Sequence, residues 1–181
     1  MSEDNFAKVE SNWNAYSKLL GKFKDEGIDK LLESLGERLC VAPSNPRVEQ
    51  YGCYPGGLLD SSLKIATTMK KLKGFHDSDI SVGSVLKVGL LHDIGRIGDM
   101  ENEWLTEQDS DWHHERGFHF KQNYDLVERT HLQRTMFFLQ NFGIKLNQLE
   151  YDALISLDDQ VSRNVLASLL LHARNILINK S

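Results

Sequence analysis

Among the residues able to do chemistry, the most concentrated group is the peptide Val88-Gly-Leu-Leu-His-Asp-Ile-Gly-Arg-Ile-Gly-Asp99. An apolar helix delivers His92 and Asp93 side by side and then breaks at Gly95 and Gly98. Adjacent helical residues do not face one another, yet both can reach one ion seated off the helix end. An imidazole nitrogen with a carboxylate oxygen suits a borderline divalent metal such as Zn, Mn, Fe, Co or Ni. A His-Asp dipeptide alone is common; the apolar run before it and the glycines after it give it weight. Asp99, Asp109 and Asp111 form an acidic group, a pattern that surface loops also produce. Trp104 and Trp112 could wall a base-stacking site or pack an irregular segment onto the core. His76, His119, His131 and His172 show no ligand spacing, and no histidine stands near Ser61 and Ser62 to activate them as nucleophiles.

The elements that must position these groups have helical period. Phe6, Val9, Trp13, Tyr16, Leu20 and Phe23 make one stripe; Ile28, Leu31, Leu32, Leu35 and Leu39 make a second. Residues 41–57 hold all three prolines and the pair Gly56-Gly57, which predicts a loop. Leu58, Leu59, Leu63, Ala66, Met69 and Leu72 predict a helix ending at Gly74, and another runs from Ser81 to about Gly95. Residues 96–124 have no clean period and many charges and aromatics, so they read as a functional insertion or a missed short helix. Leu132, Phe138, Leu139 and Phe142 belong to a further helix closed by Gly143. Asn147 with Glu150 resembles a capping box. Residues 165–177 are the clearest amphipath. The expected fold is all-α, a bundle of about seven helices in a single domain over 1–181.

Composition bounds the function classes. Of 181 residues, 40% are apolar and 26% charged, and 21 Lys and Arg against 26 Asp and Glu leave a net charge of −5. That balance argues against a broad electrostatic grip on nucleic acid or an anionic membrane, although a local basic cleft is compatible with it. No run of about 18 apolar residues occurs, and the first ten residues lack a signal pattern, which predicts a soluble protein that is not exported. Cys40 and Cys53 are too few for a disulfide framework.

The ordered phrases YPGGLLDSSLKIA (54–66), LLHDIGRIGD (90–99), DSDWHHERG (109–117) and ALISLDDQ (153–160) resemble the HD-domain superfamily of metal-dependent phosphohydrolases, and most closely its small bacteriophage members. The resemblance covers residues 39–160, with helices 5–40 and 161–179 packing on that core. It implies metal on His92, Asp93 and a distant aspartate, Asp159, with Asp158 the rival. It also implies a catalytic role for Asp93 and Arg96, and substrate contacts from Arg96, His113, His114 and Arg116. The family's first histidine falls on Ser61, a poor ligand. Asp60 beside it points about 100° away on a helix. A divalent ion (Mn, Mg, Ni, Co, Fe or Zn) is therefore expected to be weakly held or absent, with an oxygen-rich site favouring Mg or Mn.

Two readings follow. One is a phosphohydrolase acting on a nucleotide or nucleic-acid phosphoester, through metal-activated water. The other is a catalytically degenerate HD domain kept as a binding or regulatory module. The resemblance further implies a bacterial host cytoplasm; the charge balance and the lack of a long apolar run predict no membrane partner, and the amphipathic C-terminal helix could serve a homo-oligomeric or other protein contact.

Overall fold

In the computed structural model, residues 3–76 and 79–178 are described, and they form an all-α bundle carrying one small antiparallel ribbon. The helices are α1 (Glu3–Leu20), α2 (Glu26–Val41), α3 (Gly57–Lys73), α4 (Val82–Leu91), α5 (Asp111–His114), α6 (His131–Asn141), α7 (Gln148–Asp159) and α8 (Val165–Ile178). Six of the seven long helices fall where the apolar stripes predict them, and the seventh, α7, follows the Asn147–Glu150 capping signal.

Local signals fix several starts. The Asp25 carboxylate accepts from the amides of Gly27 and Ile28, and Ser81 caps α4. The expected Asn147–Glu150 capping box forms, and a second one, Thr130–Gln133, opens α6.

The bundle is organised around α3, which packs on α1, α2, α4 and α8. Close approach to α4 requires Gly89: a Cβ there would stand 2.7 Å from Ala66 Cα. One core cluster runs from Tyr16 on α1 to Ala173 on α8 and includes Leu39, Leu59, Met69, Leu90, Phe138 and Leu154. Burying Tyr16 would strand its hydroxyl, which instead donates to the Leu90 carbonyl at 2.9 Å.

The segment without period is built from short pieces. β1 (Leu105–Glu107) pairs antiparallel with β2 (Phe120–Gln122), Thr106 opposite Lys121, and α5 sits in the connection between them. Their apolar sides make a satellite core of Cys53, Trp104, Leu105, Phe120 and Leu126. Trp104 thus packs the segment down, whereas Trp112 is 55% exposed. A bridge between Arg47 and Phe118, with the guanidinium 4.5 Å from the ring centroid, ties the segment to the loop after α2. No helix among the described residues is long and apolar enough to cross a membrane.

Candidate functional site

The site grows from the end of α4. The apolar run Val85, Val88, Leu90 and Leu91 buries that helix, so the two polar residues at its end are carried into the protein. His92 is 1% exposed and Asp93 8%. A tight turn, Ile94–Ile97, follows and packs on α6. Gly95 is essential to that packing, because a Cβ would lie 2.1 Å from the His131 carbonyl oxygen and 2.6 Å from the Thr135 amide nitrogen. Thr135 secures the turn, accepting from the Gly95 amide at 3.0 Å and lying 3.4 Å from the His92 carbonyl oxygen.

His92 Nδ1 lies 2.9 Å from the Gly89 carbonyl oxygen. A carbonyl only accepts, so Nδ1 carries the proton and Nε2 presents a bare lone pair. Nε2 is buried without a hydrogen-bond partner, 3.9 Å from Asp93 Oδ2. Burial lowers the His92 pKa to about 4, against the opposing pull of Asp93. Burial pushes the Asp93 carboxyl upward, but Arg96 and its other positively charged neighbours hold it well below the usual carboxylate range.

Arg96 is the partner that decides the charge state. Its Nε donates to Asp93 Oδ2 at 2.5 Å, and its Nη1 donates to the Ser44 carbonyl at 2.7 Å and to Asn45 Oδ1 at 3.3 Å. The guanidinium carbon lies 5.5 Å from the Trp104 ring centroid.

Two cavities meet at this pair. The main chamber, about 310 Å³, is bounded by Ser44, Asn45, Tyr51, Ser61, Asp93, Arg96 and Arg174, with an apolar side of Ile65, Leu177 and Ile178. The smaller chamber, about 130 Å³, shares Asp93, Arg96 and Arg174 and adds His131, Leu157 and Asp158. Arg96 also borders a third cavity, of about 270 Å³, beside Trp104 and Pro43.

Only part of the expected ligand set is assembled. Asp159 lines neither chamber; it is exposed and ion-paired with Arg163. Asp158, its rival, does border the smaller chamber. The Ser61 hydroxyl donates to the Leu58 carbonyl at 2.9 Å and lies 3.3 Å from Ser44 Oγ. Asp60 turns to the other side of α3, where its Oδ2 accepts from Tyr51 at 2.5 Å, from Tyr54, and from Lys64 at 3.2 Å. This network holds the Tyr51 wall of the chamber against the helix.

The expected substrate contacts from the 109–117 segment are not brought here. His113, His114 and Arg116 line neither chamber. Arg116 stacks 3.6 Å from the Trp112 ring centroid, His113 packs edge-on to Trp112 and Phe118, and His114 Nε2 bonds the Gln108 carbonyl at 2.7 Å. α5 is a single turn whose side chains hold one another.

His131 and Arg174 were not among the residues expected at the site. His131 packs edge-on to Trp104, with centroids 4.1 Å apart, and burial lowers its pKa to about 4. Nothing local in the sequence marks it, because its place depends on α6 docking against the Gly95 turn. Arg174 had a readable signal. It stands four residues after Leu170 and three before Leu177, so a cation falls on the apolar stripe of α8.

A divalent metal does not fit these residues well. Among the described residues, no three His, Cys, Asp or Glu side chains converge as ligands. Asp93 already has a guanidinium on Oδ2, the oxygen that lies 3.9 Å from His92 Nε2. No protein-family model, curated protein or solved structure matches the chain.

Proposed function

We propose that the chain is an HD-like domain that binds a small ligand in the chambers around Asp93 and no longer performs metal-dependent phosphoester hydrolysis. The observation that carries this reading is the Arg96–Asp93 pair. The cation that neutralises the buried carboxylate is part of the polypeptide, held by three acceptors on two segments. An ion arriving at Asp93 would have to displace a charge-assisted hydrogen bond, and among the described residues no set of three His, Cys, Asp or Glu side chains converges there to replace it. Ser61 and Asp159 supply no ligand in this arrangement, each being bonded elsewhere.

One observation favours the hydrolase reading. A histidine that donates Nδ1–H to a carbonyl and leaves Nε2 bare is oriented as metal-ligating histidines are. The two readings separate in a single assay. Nucleotides and a generic phosphodiester are incubated with the protein and Mn²⁺, Mg²⁺, Ni²⁺ or Co²⁺, beside the His92→Ala variant. The binding-module reading expects no turnover that His92→Ala removes. Metal-dependent turnover lost in His92→Ala would establish the hydrolase instead.

A further inference from the structure

We propose that Arg174 anchors a small organic oxyanion, a phosphate or carboxylate head on a compact apolar body, at the junction of the two chambers. The inference rests on the ligand-binding reading above and names the chemistry of the ligand.

Three features of the cavity converge on this class. The first is a cation without a direct partner. Among the described residues Arg174 forms no ion pair and no hydrogen bond, although it borders both chambers. The carboxylates nearby are not its partners. Asp93 makes its direct ion pair with Arg96 and attracts Arg174 only at longer range, Glu49 is paired with Arg47 at 2.5 Å, and Asp158 borders the smaller chamber without pairing with Arg174. A half-buried guanidinium offers five N–H donors in a planar fork, a geometry that matches two oxygens of a carboxylate or phosphate.

The second feature is a second source of donors beside it. Arg96 commits Nε and Nη1 but makes no hydrogen bond through Nη2 among the described residues. An oxyanion between the two guanidinium groups would satisfy both. It would also offset the mutual repulsion of two cations that border the same space.

The third feature is the shape of the larger chamber. Ile65, Leu177 and Ile178 give it an apolar side, while Asn45 and Gln50 bring polar residues to its border. About 310 Å³ is at the small end of the range for ligand pockets, which suits a ring-sized body rather than an extended chain. Leu177 and Arg174 are three residues apart on α8, so one helix presents both the apolar contact and the charge.

Calorimetric titration of the full chain in chelator-treated buffer tests the proposal with phenyl phosphate, benzoate, inorganic phosphate and benzyl alcohol as probes. Saturable one-site binding is expected for phenyl phosphate or benzoate, and their ranking assigns the head group. Inorganic phosphate should bind more weakly and benzyl alcohol not measurably. Arg174→Met should weaken the better probe at least about tenfold, the size expected for losing a charge-assisted pair. Arg174→Lys should recover part of that loss. Arg163→Met, the same change of net charge away from the chambers, should leave binding unaltered. Equal affinity in folded Arg174→Met and the parent protein overturns the proposal, as does an absence of saturable binding by either organic anion. Neither of those results bears on hydrolysis, which the metal-supplemented turnover assay with His92→Ala reads separately.

Discussion

The end of α4 and the end of α7 carry the same chemical pair in two different settings. Asp93 with Arg96 and Asp159 with Arg163 are both aspartate–arginine contacts within one turn of chain. At α4 the carboxylate and guanidinium side chains are 12% and 13% exposed; at α7 they are 44% and 35% exposed. The first pair replaces solvent for two buried charges, and neither partner can be removed without stranding the other. The second is a surface contact between groups that water would also satisfy. Two aspartates that family resemblance assigns to one metal are thus held by different arginines in different surroundings. Proximity in a motif does not amount to a shared site.

The strongest way to break the comparison is to remove each arginine. Arg96→Met leaves the Asp93 carboxylate buried without its principal donor and should cost about 3–5 kcal/mol in urea unfolding. Adding Asp93→Asn should recover part of that loss, since the uncompensated charge disappears with it. An Arg96→Met protein as stable as the parent would mean the pair is not what neutralises the site.

Acid provides a second probe. His92 and His131 have folded pKa values of about 4, below the ordinary histidine value of 6.5, so the unfolded chain binds protons first as pH falls. Stability is therefore complete above about pH 6.5 and declines toward pH 4, by about 1–3 kcal/mol for each residue. Asp93, held low, adds a further decline below about pH 4, where unfolded aspartate protonates. His92→Gln should flatten the first part of the profile. An unchanged slope in that variant would place the acid sensitivity elsewhere.

Gly95→Ala sharpens the comparison from the packing side. The new methyl meets backbone atoms of α6 rather than a flexible side chain, so the turn that carries Arg96 must shift, at about 1–3 kcal/mol. Ligand binding should weaken along with stability. At the α7 end, Arg163→Ala should leave the urea-unfolding midpoint close to that of the parent and the chambers intact. A large loss there would show that the surface pair is coupled to the core.

How much of this was legible in the sequence follows from where each signal resides. Helical stripes and caps are local, so the long helices and the Asn147–Glu150 box could be read directly. Residues 96–124 could not, because β1, α5 and β2 are three or four residues each, the two strands resting on the satellite core beside Trp104 and α5 on contacts among neighbouring side chains. The same division runs through the site. His92, Asp93 and Arg96 lie within one turn and were read as one group, although Arg96 was expected to contact substrate and instead pairs with Asp93. His131 and Arg174 arrive on α6 and α8, and the position of Asp159 depends on how α7 ends. The left-handed Gln160 closes that helix and sends Asp159 toward Arg163 rather than into the chambers.

The most direct test of the central claim, that Arg96 has taken the place of a divalent ion at Asp93, is the metal content of the full chain purified without chelator. The account predicts substoichiometric Mn, Fe, Co, Ni and Zn, unchanged in His92→Ala. One metal ion per chain that is lost in His92→Ala would contradict it.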